Sequence, residues 1–569
     1  MNTVPMRRSD FATLAEVLDY AARGVTGANF HAGGKLVTAL PYRTLRTQAL
    51  DLAQRLSTLK LERGARLAIV AETTPDFLRF FFACQYIGLV PVALPSAVNL
   101  GGHEAYVYKL RGMLQACDAS IAMASQAFVG FLREAVDGLD LAMWGEPSAF
   151  DALPKRDVEL QPTGPDEIAY LQFTSGSTGT PKAAAITQRA LLANSYGSIN
   201  HGLEMREDDR FASWLPFYHD MGLVGCMLTV VAAQRSIDYL DTREFAMRPR
   251  RWLELMSASK ATISYSPPFG YDMCARRVRP SDIASYDLSH WRIAGIGAEP
   301  ILPGVPARFA ELLAPTGFDA RAFVPSYGMA EASLAVSFAP LRHGIVVDWI
   351  DPVDLAEHLL ATPVPAGAGT SFVRCGGPMP GHGLKICDAS GKSLPERHVG
   401  RILINGPSLM SAYFHQPAAT AQVLSEDGWL DTGDVGYLVE GEVVVTGRHK
   451  DMIIVNGRNI WPQDIERIVE RQPELRSQDA SAFSVSGPDG TEIAAVVVQC
   501  NASDPETRAA LVQRVRRQIL EELGIACLIE LVPRHTLPRT SSGKLSRSAT
   551  RVGFLERQAM QQQATGVAA

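Results

Sequence analysis

From Leu171 to Lys182 the chain reads Leu-Gln-Phe-Thr-Ser-Gly-Ser-Thr-Gly-Thr-Pro-Lys, a run whose residue types suit one task. Gly176 and Gly179 let backbone N–H groups converge on an anion. Thr174, Ser175, Ser177 and Thr178 add hydroxyl donors, and Lys182 brings a point charge, which together make a cradle for a polyphosphate. The spacing fails the G-x-x-x-x-G-K-[ST] rule, because Lys182 follows Pro181 and precedes Ala183, so a standard P-loop NTPase is disfavoured. On composition alone the run reads equally well as a surface loop.

Other groups carry less by themselves. Asp431-Thr432-Gly433 has the look of an aspartic-protease triplet, but that chemistry needs two carboxylates sharing a proton and the triplet occurs once. His219-Asp220 could serve as a hydrolase dyad, yet adjacent residues seldom orient one another, and no G-x-S-x-G elbow accompanies them. Lys544 ends the run Arg539-Thr540-Ser541-Ser542-Gly543-Lys544, which without context is a solvated lysine in a Ser/Gly loop.

The phosphate-type loop needs a strand before it, and Ile168 to Leu171 provides an apolar one. Further short apolar strands at Arg66 to Val70, Ala294 to Ile296 and Arg321 to Val324 alternate with helical patterns from about residue 10 to 450. That alternation predicts an α/β architecture with buried sheets: a large N-terminal domain of layered subdomains. After Lys450 the texture changes. Gln463 to Arg471 starts a helix, Glu492 to Gln499 reads as a strand, and Leu511, Val515 and Ile519 mark the apolar face of a helix over 506–523, a small α+β domain in all. The tail from Arg557 has too little apolar content to pack and is expected to be disordered.

Composition sets the outer limits. At 569 residues and 47% hydrophobic, the chain has room for several folding units around a large core. Its 54 basic against 60 acidic residues give −6, a poor electrostatic match to nucleic acid, and the basic runs at 248–251 and 276–279 read as solvated faces. Eight cysteines without a C-x-x-C pair suggest neither a disulfide framework nor a metal cluster and fit a reducing cytoplasm. No signal peptide is visible at the N-terminus. The uncharged stretch Phe80 to Gly102 has the length of a membrane span, but Pro91, Pro95, Asn99 and Gly101-Gly102 break it into a buried helix ending near Gly88 and a core strand, Val90 to Leu94.

The Phe173 to Lys182 run resembles the phosphate-binding signature of the adenylate-forming superfamily, which includes acyl-CoA synthetases, peptide-synthetase adenylation domains and firefly luciferase. Further matches follow in the superfamily's order: Gly297-Ala298-Glu299-Pro300, Tyr327 to Glu331, Trp429 to Asp434, Gly447 to Asp451, and Pro538 to Lys544. Within it, Ser213 to Gly222 and Asn456 to Glu466 resemble fatty acyl-AMP ligases most closely. Such enzymes activate a fatty acid with ATP and pass the acyl group to the phosphopantetheine thiol of an acyl carrier protein.

The resemblance implies roles position by position. Thr174, Ser175, Gly176, Ser177, Thr178, Gly179 and Lys182 would hold the β- and γ-phosphates, and Glu331 would bind Mg²⁺, whose preference for hard oxygen suits a carboxylate. Gly297, Ala298, Glu299 and Pro300 would border the adenine, with Tyr327, Gly328 and Met329 lining the nucleotide pocket. Asp434 would accept from the ribose hydroxyls while Arg448 donates to ribose or phosphate. Lys544 would bridge the substrate carboxylate and the α-phosphate. His219 is expected in the substrate pocket, and Met221 and Gly222 would begin the acyl tunnel in a segment, 221–234, that reads equally as core. Ala183 stands where the superfamily usually has glycine, which puts loop geometry in question.

The implied domains are 1–449, a hinge at Lys450 and Asp451, a lid at 452–556 and a tail at 557–569. The connection from Glu331 to Gly376 is longer than in typical acyl-CoA synthetases. It resembles a family-specific insertion at about 340–372, with a strand-like Gly344 to Ile350 and a helix-like Pro352 to Leu360. In the family this element packs on the C-terminal domain and restricts the rotation that acyl-CoA formation needs. Rival readings are an acyl-CoA synthetase using free CoA, an amino-acid adenylation domain, for which no matching Asp stands near His219, and a non-catalytic nucleotide- or acyl-binding protein. No carrier-protein segment is visible in the chain, so a carrier partner would be a separate polypeptide.

Overall fold

The computed structural model describes residues 4–96, 102–174, 181–455, 458–476, 478–487, 492–540 and 544–564, to which all counts below refer. Two large mixed sheets dominate residues 27–413. One runs, in spatial order, through strands 412–413, 182–187, 168–174, 90–94, 66–70, 119–123 and 143–145. The other has nine strands, in the order 377–378, 335–338, 323–328, 293–297, 263–266, 210–213, 236–240, 27–32 and 35–41. The central strands of each sheet pair in parallel while strands toward the ends, such as 182–187 and 335–338, pair antiparallel, and Val90–Leu94 and Ile293–Gly297 are buried along their whole length, as parallel strands covered on both faces must be.

Helices fill the space between the sheets. Thr74 precedes Pro75 at the first turn of the Pro75–Ile87 helix, and Gly88, at φ 69°, ends it in the left-handed conformation that favours glycine. This helix buries Phe77, Phe80, Phe81 and Phe82, and the Phe77 ring stacks on Phe217 with centroids 4.9 Å apart. The uncharged 80–102 stretch thus resolves into buried helix and core strand through Leu94, and no described helix is long and apolar enough to cross a membrane. One continuous apolar core joins both sheets.

A four-stranded antiparallel sheet, 383–387, 400–405, 430–439 and 442–448, follows. After it comes the small α+β unit: strands 480–486, 492–499 and 527–532, with helices 462–470, 505–523 and 547–564, around a separate core that includes Leu511, Val515 and Ile519. Asp504 caps the 505–523 helix by accepting from the Thr507 N–H at 2.8 Å.

Two expectations need correction. The strand sought at 321–324 starts only at Phe323, because the Asp319 carboxylate accepts from the Arg321 N–H at 2.9 Å and winds 320–322 into a single tight turn. The tail from Arg557 is helical as far as Ala564. Phe554, 3% exposed and packed on Phe483, anchors that helix, and Arg557 pairs with Glu530 at 2.7 Å. The basic runs are ion-paired faces, as Arg276 with Asp272 at 2.9 Å shows. All eight cysteines are buried thiols.

Candidate active site

The site forms at the carboxyl ends of parallel strands, where open α/β sheets bind ligands. Gly297 ends one strand and Ser326, Tyr327 and Gly328 end its neighbour, with Gly297 paired to Ser326. The phosphate-type run begins in the strand Ile168–Thr174 and returns as Lys182–Thr187, Thr174 facing Lys182 across the antiparallel pair. Ser175, Gly176, Ser177, Thr178 and Gly179 lie outside the described residues. Ala183 is a strand residue opposite Phe173 and 1% exposed, so its methyl packs into the core.

Next to Lys182 the strand Ala412–Tyr413 adds to the sheet edge. Lys182 Nζ stands 5.1 Å from the Tyr413 ring centroid, and the Tyr413 hydroxyl donates to Glu331 Oε1 at 2.7 Å. Burial pushes the Glu331 carboxyl above its usual range, partly offset by that hydroxyl. No group of three or more potential ligands exists among the described residues. A lone hard carboxylate joined through Tyr413 to Lys182 nevertheless fits a Mg²⁺ ion that would take its remaining oxygens from a nucleotide. Tyr413 escaped the sequence reading: nothing in the sequence around it marks it, and only the strand pairing sets it beside Glu331.

Asp434 is the hub of a second cluster. Its Oδ2 accepts from the Tyr327 hydroxyl at 2.8 Å and its Oδ1 from Arg448 Nε at 3.0 Å, the two strands carrying Asp434 and Arg448 pairing at these residues. Asp434 holds the Arg448 guanidinium above its ordinary value. Met329 closes the next turn, its N–H donating to the Leu334 carbonyl at 2.8 Å.

His219 and Asp220 do orient each other, against expectation: His219 Nδ1 and Asp220 Oδ1 are 2.8 Å apart. The same oxygen accepts from the Met221 N–H at 2.8 Å, so the carboxylate also caps the helical segment Met221–Leu228 and is pinned in place for the imidazole. Burial raises the Asp220 carboxyl, but His219, Lys544 and the Met221 N–H together hold it below its usual range. Gly222 is required here, since a Cβ would sit 2.1 Å from the Pro216 carbonyl oxygen. The apolar segment beyond divides between the two readings. Leu223, Val224, Met227 and Leu228 are core, while Met221, Gly225 and Thr229 line a cavity that reaches Gly297, Ala298 and Gly328.

Lys544 comes from the C-terminal unit and enters this site, Nζ donating to the Ala298 carbonyl. Burial lowers its ammonium below the ordinary lysine range, against the attraction of Glu299 and Asp220. Burial likewise raises Glu299, against Lys544. Lys450 and Asp451 occupy a short turn just after the strand bearing Arg448, and Asp451 pairs with Arg547 at 3.3 Å. Pro300 is exposed at the rim.

The segment expected as an insertion folds as a hairpin, 347–350 with 370–373, and a helix, Pro352–His358. It packs on the C-terminal unit. Trp461, 2% exposed, shares one apolar cluster with Ile350, Leu355 and Tyr437, and Asn459 Nδ2 donates to the Ala356 carbonyl at 3.2 Å.

Residues 28–414 match the AMP-binding enzyme family and residues 457–550 the AMP-binding enzyme C-terminal domain. A putative acyl-CoA synthetase of Caulobacter vibrioides is 44% identical over 97% of this chain and 96% of its own. The medium-chain-fatty-acid–[acyl-carrier-protein] ligase JamA of Moorena producens is 30% identical over the same shares. A solved chain from a study of fatty acyl-adenylate ligases of E. coli and L. pneumophila superposes with a TM-score of 0.92 at 44% identity, over 98% of this chain and 100% of that one.

Proposed function

The chain belongs to the AMP-binding enzyme family and is an AMP-forming fatty acyl-adenylate ligase, and from that premise we propose that it passes its acyl group to the phosphopantetheine thiol of a separate acyl carrier protein. The observation that carries this reading is the packing of the 347–373 insertion on Trp461 and Asn459, which ties the C-terminal unit to the body of the enzyme. A lid so tied favours the adenylation arrangement over the rotation about Lys450 and Asp451 that a free-CoA step would need.

In the first half-reaction a carboxylate oxygen attacks the α-phosphorus of ATP and pyrophosphate leaves. Two anions must meet, so positive charge has to be positioned beforehand. Lys544, held at Ala298, would move its donor to the carboxylate and α-phosphate. Lys182 would meet the outer phosphates, Asp434 the ribose hydroxyls through its accepting oxygens, and Arg448 the ribose or phosphate. Mg²⁺, when bound, neutralises phosphate charge, and Glu331 would hold it, oriented by Tyr413. His219, fixed by Asp220, would border the acyl carboxylate, and the cavity beyond Met221 would take the chain. In the second half-reaction the thiol sulfur attacks the acyl carbonyl and AMP leaves.

The test is product analysis by mass spectrometry with Mg·ATP and a fatty-acid panel, with no acceptor, with CoA, or with a holo carrier protein. Acyl-adenylate that accumulates, ignores CoA and is consumed by the carrier is the expected result. Rapid acyl-CoA formation would replace this reading with the activity in the name of the Caulobacter relative.

A further inference from the structure

The cavity beyond Asp220 and Met221 runs between two segments wound with the wide i→i+5 repeat, Ser198–Gly202 and Met221–Leu228, a form that is rare and recurs at functional sites. Much of its wall is hydrocarbon: Leu203, Met221, Leu334, Ala335 and Phe338. Hydroxyls at Ser198, Thr229 and Tyr265 interrupt that wall. Thr229 Oγ1 is satisfied by Ser195 Oγ at 3.2 Å. Ser198, 3% exposed, has a buried Oγ without a hydrogen-bond partner, and the buried Tyr265 hydroxyl meets Ser326, whose own Oγ donates to the Val324 carbonyl at 3.2 Å and leaves the phenol with capacity for a further bond. The Tyr265 ring lies across the sheet where a Cβ at Gly295 would stand 2.0 Å from it, so the chain gives up a side chain to admit this phenol.

A buried hydroxyl left unpaired forfeits its bonds to water and gains none in return, which destabilises the fold. Alanine and phenylalanine have nearly the same shapes as serine and tyrosine and would line a cavity for bare hydrocarbon without that cost. We propose that the acyl cavity is built for a fatty acid bearing an oxygen substituent, a hydroxyl group, which Ser198 Oγ and the Tyr265 hydroxyl hydrogen-bond. The proposal rests on the fatty acyl-adenylate activity alone and is independent of the thioester acceptor.

The experiment follows pyrophosphate release, without CoA or carrier, for an unsubstituted acid and its positional hydroxy isomers at equal chain length. At least one hydroxy acid is expected to exceed the parent in kcat/KM by roughly tenfold or more, because the parent offers no partner to the Ser198 Oγ or the Tyr265 hydroxyl. Ser198→Ala and Tyr265→Phe should each shrink that ratio, the hydroxy acid losing more in kcat/KM than the parent acid does. Ser198→Cys, which keeps the shape and weakens the donor, gives the same reading if Ser198→Ala lowers the melting temperature. A parent acid preferred over every hydroxy isomer overturns the proposal, and so do variants that slow both acids equally, as they would if the hydroxyls held only structural water. Transfer to a carrier plays no part in this assay, so its result and that of the thioester reading are separate.

Discussion

Lys544 donates to the main-chain carbonyl of Ala298, 246 positions earlier in the chain, so the C-terminal unit is closed with its lysine inside the candidate active site. Ala298 holds a left-handed φ of 68°, which costs a non-glycine residue about 1–2 kcal/mol. Strain at this point is tolerable because the flanking sheet fixes the backbone: Gly297 is paired to Ser326 and buried.

Lys544→Ala should lower acyl-adenylate formation by roughly 10²- to 10³-fold, the scale of losing one preorganised donor, while the protein stays folded. Single-turnover pyrophosphate release measures it. A rate near that of the unaltered enzyme would remove Lys544 from the charge clamp.

The same lysine sets a pH limit. Burial disfavours its charged form, so the ammonium gives up its proton at a lower pH than an ordinary lysine, whose value is about 10.4. Adenylation needs the charged form. The kcat/KM profile should therefore fall on the alkaline side with a midpoint below that value, and Lys544→Arg should push the fall to higher pH, whatever its effect on the maximal rate. A profile unchanged by the arginine would assign the limb to another group.

Tyr413→Phe removes the hydroxyl 2.7 Å from Glu331 and leaves the ring under Lys182 in place. A ligand carboxylate that loses its orienting partner binds metal about 10- to 100-fold more weakly. The Mg²⁺ concentration for half-maximal adenylation should rise on that scale, with a smaller change in the rate at saturation. An unaltered Mg²⁺ titration would separate Tyr413 from the cation.

How much of this was legible in the sequence depends on the range of the interaction. Strands such as Arg66–Val70 and Val90–Leu94 declare themselves because both faces are buried and every residue must be apolar. Cap chemistry and the spacing of Leu511, Val515 and Ile519 likewise mark the 505–523 helix locally. Motif order pointed to Asp434, Glu331 and Lys544, which the fold does bring to one crevice. What stayed hidden was pairwise and distant. Tyr413 meets Glu331 only through a two-residue edge strand, and the Asp220 carboxylate is pinned between the Met221 N–H and the His219 imidazole, a geometry that adjacency in the chain does not disclose. The terminal helix defeated composition because one buried ring, Phe554, and one ion pair, Arg557 with Glu530, suffice to dock it.

The insertion offers the sharpest test of acceptor choice. Leu355 is 3% exposed and lies in the apolar cluster that joins Ile350 and Tyr437 to Trp461 of the C-terminal unit. Leu355→Ala removes buried methyl groups there, a loss of about 2–5 kcal/mol where the surroundings cannot collapse. The substitution weakens the contact between insertion and lid and leaves Asp434, Lys182 and Glu331 untouched. Acyl-adenylate formation should stay within about twofold of the parent enzyme, since the closed arrangement is still available. With free CoA, however, the variant should begin to make acyl-CoA, because rotation about Lys450 and Asp451 no longer has to break the full cluster. Mass spectrometry of the thioester, alongside a melting curve that shows the large domain intact, reads both. A variant that melts as expected yet still ignores CoA would mean that acceptor choice is made elsewhere than at this packing.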